Sequence, residues 1–398
     1  MRKQRWLGAS AALVSLMVVL AACQSTNSPS PSAGGSTAAS TAASAAPTST
    51  LKIGVVSDAA GINDKGFNEY SYKGAQQGAT DIGAPAPKVI VPKDQTEYAS
   101  AIQSLVDEKM DVIVTVGFNL GAATITAAKA NPNVWFVGVD QQVGPGKDFC
   151  VDEQGNLDTK YACKGDATKL LPKYIQLVFK EDQAGYLAGM VAASVSKSGV
   201  VGAVGGLTTC GPCVRYIQGY ELGAKSIKAD TKVVSAYVTK SFDPVKSFGD
   251  QPGGKLFAQN LLASNPTLDV FFAVGGLTGN GVLDAACDKG IWAIGVDVDQ
   301  FVSYTADDKC ILTSAEKHLA GAVDQAIKGL NAALAGGPAV AAGPQTFDAT
   351  NDGVGVSDFH TNSSAVPADL QGKLDAALAS MKAGTLTTCP ADCGAPPK

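Results

Sequence analysis

From Leu51 to Leu334, short runs of β-branched and apolar residues alternate with longer stretches patterned for helices, and this alternation limits the possible folds more than any other feature. Strand candidates are 52–57, 88–91, 112–116, 134–139, 175–179, 200–204, 232–237, 270–274, 293–296 and 310–313. Helical patterns lie between and after them at 71–80, 98–108, 120–130, 183–195, 213–228, 255–263, 279–286 and 315–334. Strand, helix, strand at this spacing means parallel sheets covered by helices on both faces, because a parallel crossover needs a connection long enough to be a helix. So many strands exceed one compact sheet, and the pattern predicts an α/β chain of two similar lobes, each a doubly wound parallel sheet.

Ligands of such sheets bind outside the carboxyl ends of the strands. Asp58 follows the first strand, Gly117-Phe118-Asn119 the third and Asp140 the fourth. In the later half Gly205-Gly206, Ser241-Phe242-Asp243, Gly275-Gly276 and Asp297 take the equivalent places. One loop carboxylate alone reads as a solvated turn or a helix cap. Three at matching strand ends, beside glycines that let backbone approach a ligand, point to a binding cleft.

The segment before Leu51 is of another kind. Residues 1–22 have a basic start (Arg2, Lys3, Arg5), an apolar run of 14 residues from Leu7 to Leu20, and the ending Leu20-Ala21-Ala22 before Cys23. That run is shorter than the roughly 20 residues a membrane span needs, and it reads as an export signal. Its ending resembles bacterial lipoprotein signals, which implies cleavage before Cys23 and lipid on its sulfur. Cys23 and a Ser/Thr/Ala-rich tether occupy 23–50, with no charged residue to the end. The protein is then expected on the extracytoplasmic face of a bacterial cell membrane.

Several functions lack their parts. The net charge is −5 with no long basic run, so nucleic acid is not an expected partner. The chain has only His318 and His360, too few and too isolated for a histidine-based zinc site or a Ser-His-Asp triad. No GxxxxGK[ST] or GxSxG motif occurs, and the acidic stretches Asp152–Asp158 and Asp297–Asp299 are not full calcium loops. We therefore expect no metal, no cofactor and no enzymatic activity.

Beyond Cys23 there are eight cysteines, an even number that suggests disulfides outside the cytosol. Of the many possible connectivities, proximity favours Cys150 with Cys163, Cys210 with Cys213, Cys287 with Cys310, and Cys389 with Cys393. Cys210-Gly-Pro-Cys213 also matches a thioredoxin-type redox motif. Its place in the middle of a long α/β chain favours a local staple over redox activity.

Ser57-Asp58-Ala-Ala-Gly61-Ile-Asn-Asp64-Lys-Gly-Phe67-Asn68, with Tyr72-Lys-Gly74 after it, resembles the opening of the basic membrane protein family. These are purine-nucleoside receptor lipoproteins that serve ABC transporters. The resemblance continues through Val116-Gly-Phe118, Asn131-Pro-Asn-Val-Trp-Phe136, Gly185-Tyr-Leu-Ala-Gly189, Gly219-Tyr-Glu-Leu-Gly223, Gly275-Gly276-Leu-Thr278-Gly-Asn-Gly281, Ile294-Gly-Val-Asp297 and Leu312-Thr-Ser314-Ala-Glu-Lys317, and spans about 51–335.

It implies a type I periplasmic-binding fold, with two lobes joined by a three-segment hinge and closing on the ligand. The lobes are then expected at 51–181 plus 306–335 and at 182–305 plus 336–398. By the same resemblance Phe67 and Phe242 stack on a flat base, worth about 1–3 kcal/mol per stacked base. Asn68 and Asp140 bind the base edge with Asp58 beside them, Asp297 and Lys317 grip the ribose, and Gly275-Gly276 line the sugar. The implied partners are a nucleoside and the permease of an ABC transporter, with the receptor acting as a monomer. The segment 141–174 looks like an insertion, and the Cys210–Cys213 segment and the tail with Cys389 and Cys393 are also unusual. The alternatives are the same fold binding a sugar or small signalling molecule, and a redox protein using Cys210 and Cys213.

Overall fold

A computed structural model describes residues 49–397, so the signal segment 1–22, Cys23 and all but the end of the tether lie outside the described residues. The strands are β1 (Ile53–Val56), β2 (Lys88–Ile90), β3 (Val112–Val116), β4 (Trp135–Val139), β5 (Tyr174–Phe179), β6 (Val200–Leu207), β7 (Lys232–Thr239), β8 (Val270–Val274), β9 (Trp292–Asp297), β10 (Ile311–Lys317), β11 (Gly343–Phe347) and β12 (Val354–Val356). The helices are α1 (Phe67–Asp81), α2 (Tyr98–Asp107), α3 (Gly121–Ala130), α4 (Ala167–Leu170), α5 (Glu181–Val195), α6 (Gly211–Ile227), α7 (Gln251–Ser264), α8 (Gly276–Lys289), α9 (Gln300–Ser303), α10 (Leu319–Leu334) and α11 (Leu370–Lys382).

One sheet has the order β11, β5, β4, β3, β1, β2 and the other β12, β10, β9, β8, β6, β7. Without the edge strands β11 and β12, both follow the same doubly wound order, with a switch point between β1 and β3 and again between β6 and β8. Every pair is parallel except β10 with β12. β3 and β8 are buried along their whole length, which is why β8 reads as an unbroken apolar run and β3 as one broken only by Thr115. This is the expected two-lobed periplasmic-binding architecture.

The chain crosses between lobes after β5, after β10 and between β11 and β12. The expected lobe boundaries fail at two places. Residues 306–335 do not all join the first lobe, because β10 pairs with β9 in the second sheet and only α10 returns to pack on α1. Residues 336–398 do not all join the second, because β11 pairs with β5. Gly74 makes the α1–α10 approach possible: an added Cβ there would lie 2.4 Å from the Ala320 carbonyl oxygen. Similarly α5 and α6 meet through Gly185 and Gly219, where a Cβ would come within 2.1 Å of backbone oxygens of the facing helix. The four expected disulfides are all present.

Candidate functional site

The carboxyl ends of both sheets meet around one cavity, the place where ligands of such sheets bind. Asp58, Phe67, Asn68, Asp140, Gly275, Gly276, Asp297 and Lys317 all line it.

In the first lobe the loop after β1 and the start of α1 form one hydrogen-bonded unit. Asp64 accepts from the backbone N–H groups of Gly66 (3.1 Å), Asn68 (2.9 Å) and Glu69 (3.0 Å), satisfying the free donors at the helix start. The Asn68 side-chain amide donates to Asp58 Oδ1 at 2.8 Å and to Asp64 Oδ2 at 3.2 Å. Asn68, expected to bind a base edge, thus has its donors engaged in holding Asp58 and Asp64. Burial pushes the Asp58 and Asp64 carboxyls up to about 6.

Asp140 directly follows β4 and Asp297 ends β9, the corresponding strands of the two sheets. Both adopt left-handed backbone, with φ of 59° and 68°, a conformation that short polar residues tolerate better than bulky ones. They converge on Lys317 at the end of β10, whose Nζ lies 2.5 Å from Asp140 Oδ2 and 3.3 Å from Asp297 Oδ1. Asp140 therefore sits with the expected ribose-binding pair. Glu181, the first residue of α5, adds a carboxylate 3.7 Å from Nζ and accepts from Arg215 Nε at 2.6 Å. Lys317 is only 3% exposed. Burial disfavours its ammonium, but Asp140, Asp297 and Glu181 outweigh that and hold its pKa well above the ordinary lysine value. Burial raises Asp140 and Asp297, while Lys317 pulls both back. Asp140 Oδ1 is buried with no hydrogen-bond partner among the described residues.

Phe242 departs from expectation: it is 43% exposed and does not line the cavity. β7 runs on to Thr239, and a turn follows in which Asp243 accepts from Lys246 N at 3.1 Å. The next helical turn, Val245–Gly249, folds back so that Ser247 and Thr239 hydroxyls meet at 2.6 Å and Phe248 lines the cavity instead. Phe248 packs edge-on against Phe118, ring centroids 6.0 Å apart, while Phe67 lies under the Lys317 ammonium at 4.8 Å. Asp64 and Phe118, both within the quoted motifs, could have been selected. Glu181, two residues beyond β5, was open to the same strand-end reading, whereas Phe248 and Tyr216 carried no such signal.

The sequence model of one family, described as ABC transporter substrate-binding protein PnrA-like (Bmp), matches residues 51–379. The chain belongs to the Bmp family. Bmp proteins are solute-binding proteins rather than enzymes; they bind a small ligand outside the cytoplasm and work with a transporter permease. The chain is 28% identical over 310 residues to the ABC transporter nucleoside-binding protein BmpA of Lactococcus lactis subsp. cremoris, covering 75% of each chain. It is 29% identical to basic membrane protein D of Borreliella burgdorferi, covering 67% of each. Among solved structures, an ABC transporter solute-binding protein from Aeropyrum pernix K1 matches 85% of this chain and 92% of its own with a TM-score of 0.65 at 19% identity, a likeness of fold. Among the described residues of this Bmp protein, no helix is long and apolar enough to cross a membrane.

Proposed function

We propose that this Bmp-family protein captures a nucleoside, a purine one by resemblance, in the cavity between its lobes and delivers it to the permease as a monomer held at the outer membrane face by lipid on Cys23. The observation that carries the nucleoside reading is one cavity lined by both charged and aromatic groups, with the Lys317 ammonium over the Phe67 ring at 4.8 Å. Asp140, Asp297 and Lys317 offer charged acceptors and a donor, with the free Asp140 Oδ1 suited to a hydroxyl. Near them lie Phe67, Phe118 and Phe248, whose rings suit a flat base. Asp58, oriented by Asn68, reads the base edge, and Gly275-Gly276 line the sugar. The name of the Lactococcus relative agrees with this choice. The charged groups alone would suit a free sugar, and the aromatic rings favour a base.

Calorimetric titration of the full chain, freed of carried-over ligand, against nucleosides, free bases and sugars tests the reading. A nucleoside is expected to bind at micromolar affinity or tighter, with its base and ribose far weaker. Phe67→Ala, Phe248→Ala and Asp297→Ala should each cost at least tenfold, about 1.4 kcal/mol, while Phe242→Ala should change little. A sugar that binds while every nucleoside fails would replace the nucleoside.

A further inference from the structure

The aromatic and charged groups already account for a base and a ribose, yet the same cavity has another wall. Cys210, Pro212, Cys213 and Tyr216 all line it. Cys213 and Tyr216 lie on one side of α6, because residues three apart are neighbours on a helix surface, and Cys210 caps the start of that helix. Cys210 Sγ accepts from Cys213 N at 3.1 Å, so a sulfur caps the helix. Gly211 passes beneath Asp148 of the other lobe, where an added Cβ would lie 2.3 Å from the carboxylate. Glycine here lets the turn seat against that lobe while both cysteines border the cavity.

We propose that the Cys210–Cys213 disulfide is part of the ligand-binding surface, an apolar and polarisable plate against which an aromatic ligand packs, and a determinant of what the cleft accepts. This rests on reading the cleft as a nucleoside site. Sulfur makes favourable contacts with aromatic rings. The two cysteines are only 2% and 5% exposed, so their free surface is the cavity rather than bulk solvent. One turn further along the same helix, Tyr216 Oη donates to Asp297 Oδ1 at 3.4 Å, linking the plate to the charged groups of the site. A dithiol reductant removes the plate: one thiolate attacks a sulfur to form a mixed disulfide, and the second displaces it. Two cysteine thiols and the oxidised cyclic dithiol result.

Two measurements on the full chain test this. First, Cys210→Ser/Cys213→Ser is titrated with the same panel as the native chain; the tightest nucleoside is expected to lose at least tenfold in affinity. Second, native chain is treated with dithiothreitol with and without saturating ligand, and each disulfide is followed by alkylation and mass spectrometry. Bound ligand should slow reduction of Cys210–Cys213 at least tenfold, and more than that of Cys287–Cys310 and Cys389–Cys393, which lie away from the cavity. The second measurement stands even if the double variant does not fold. Native affinity in the variant, or equal protection of all three disulfides, overturns the proposal and leaves the nucleoside reading intact. A native chain that binds no nucleoside overturns both.

Discussion

Asp58 shows how burial makes an ordinary side chain responsive to pH in the neutral range. Its carboxyl is pushed up to about 6 because solvent is excluded, and the backbone N–H of Ala60 and the Asn68 amide only partly compensate. A protonated carboxyl accepts less well, so a ligand that donates to Asp58 favours the ionised form. Affinity should therefore fall as the pH drops from about 8 to about 5, and binding near pH 6 should release protons. Asp58→Asn should reduce both effects, and a flat profile in the native protein would remove Asp58 from the contact set. The strand-end logic found Asp58, Asp140 and Asp297 because the carboxyl end of a strand has a fixed address in the sheet. It failed for Phe242 and Phe248 because a side chain after a strand depends on how the loop folds back, here on the Thr239–Ser247 contact.

Helices were legible where they carry a stripe of apolar residues between strong strands, and α5 and α6 fall close to their expected bounds. β11 and β12 were missed because Gly343-Pro-Gln-Thr-Phe347 is polar and holds a proline, and because three-residue β12 is too short for any periodicity. α11 was missed for its largely exposed, weakly patterned surface. Packing of α5 on α6 depends on facing glycines, so Gly219→Ala should cost roughly 1–3 kcal/mol by overpacking against the Asp182 carbonyl. Gly372→Ala, on exposed α11 with nothing near, should gain about 0.5–1 kcal/mol from helix propensity. Denaturant unfolding checks both, and an unaffected Gly219→Ala would mean that the helices sit further apart.

At the scale of the molecule, the lobes meet through polar contacts as well as through the cavity. Asn280 Nδ2 on α8 donates to the Asp64 carbonyl oxygen at 2.9 Å, and Ser303 Oγ on α9 donates to that of Lys65 at 2.7 Å. Both hold the second lobe against the loop that supplies Asp64. Asn280→Ala removes the first contact, worth about 0.5–1.5 kcal/mol, together with the bond that Asn280 Oδ1 accepts from Gln300 Nε2 within the second lobe, and ligand should dissociate up to about tenfold faster in stopped-flow measurements. An unchanged off-rate would show that these contacts do not restrain the ligand. The return of β11 to the first sheet also sets a schedule for synthesis. β5 is made long before β11, with the whole second sheet except β12 between them in the chain. Until then β5 is an edge strand with unpaired backbone groups, an invitation to wrong partners. A chain cut short before Gly343 would keep that edge permanently, and nascent or truncated forms are the ones for which a chaperone matters most.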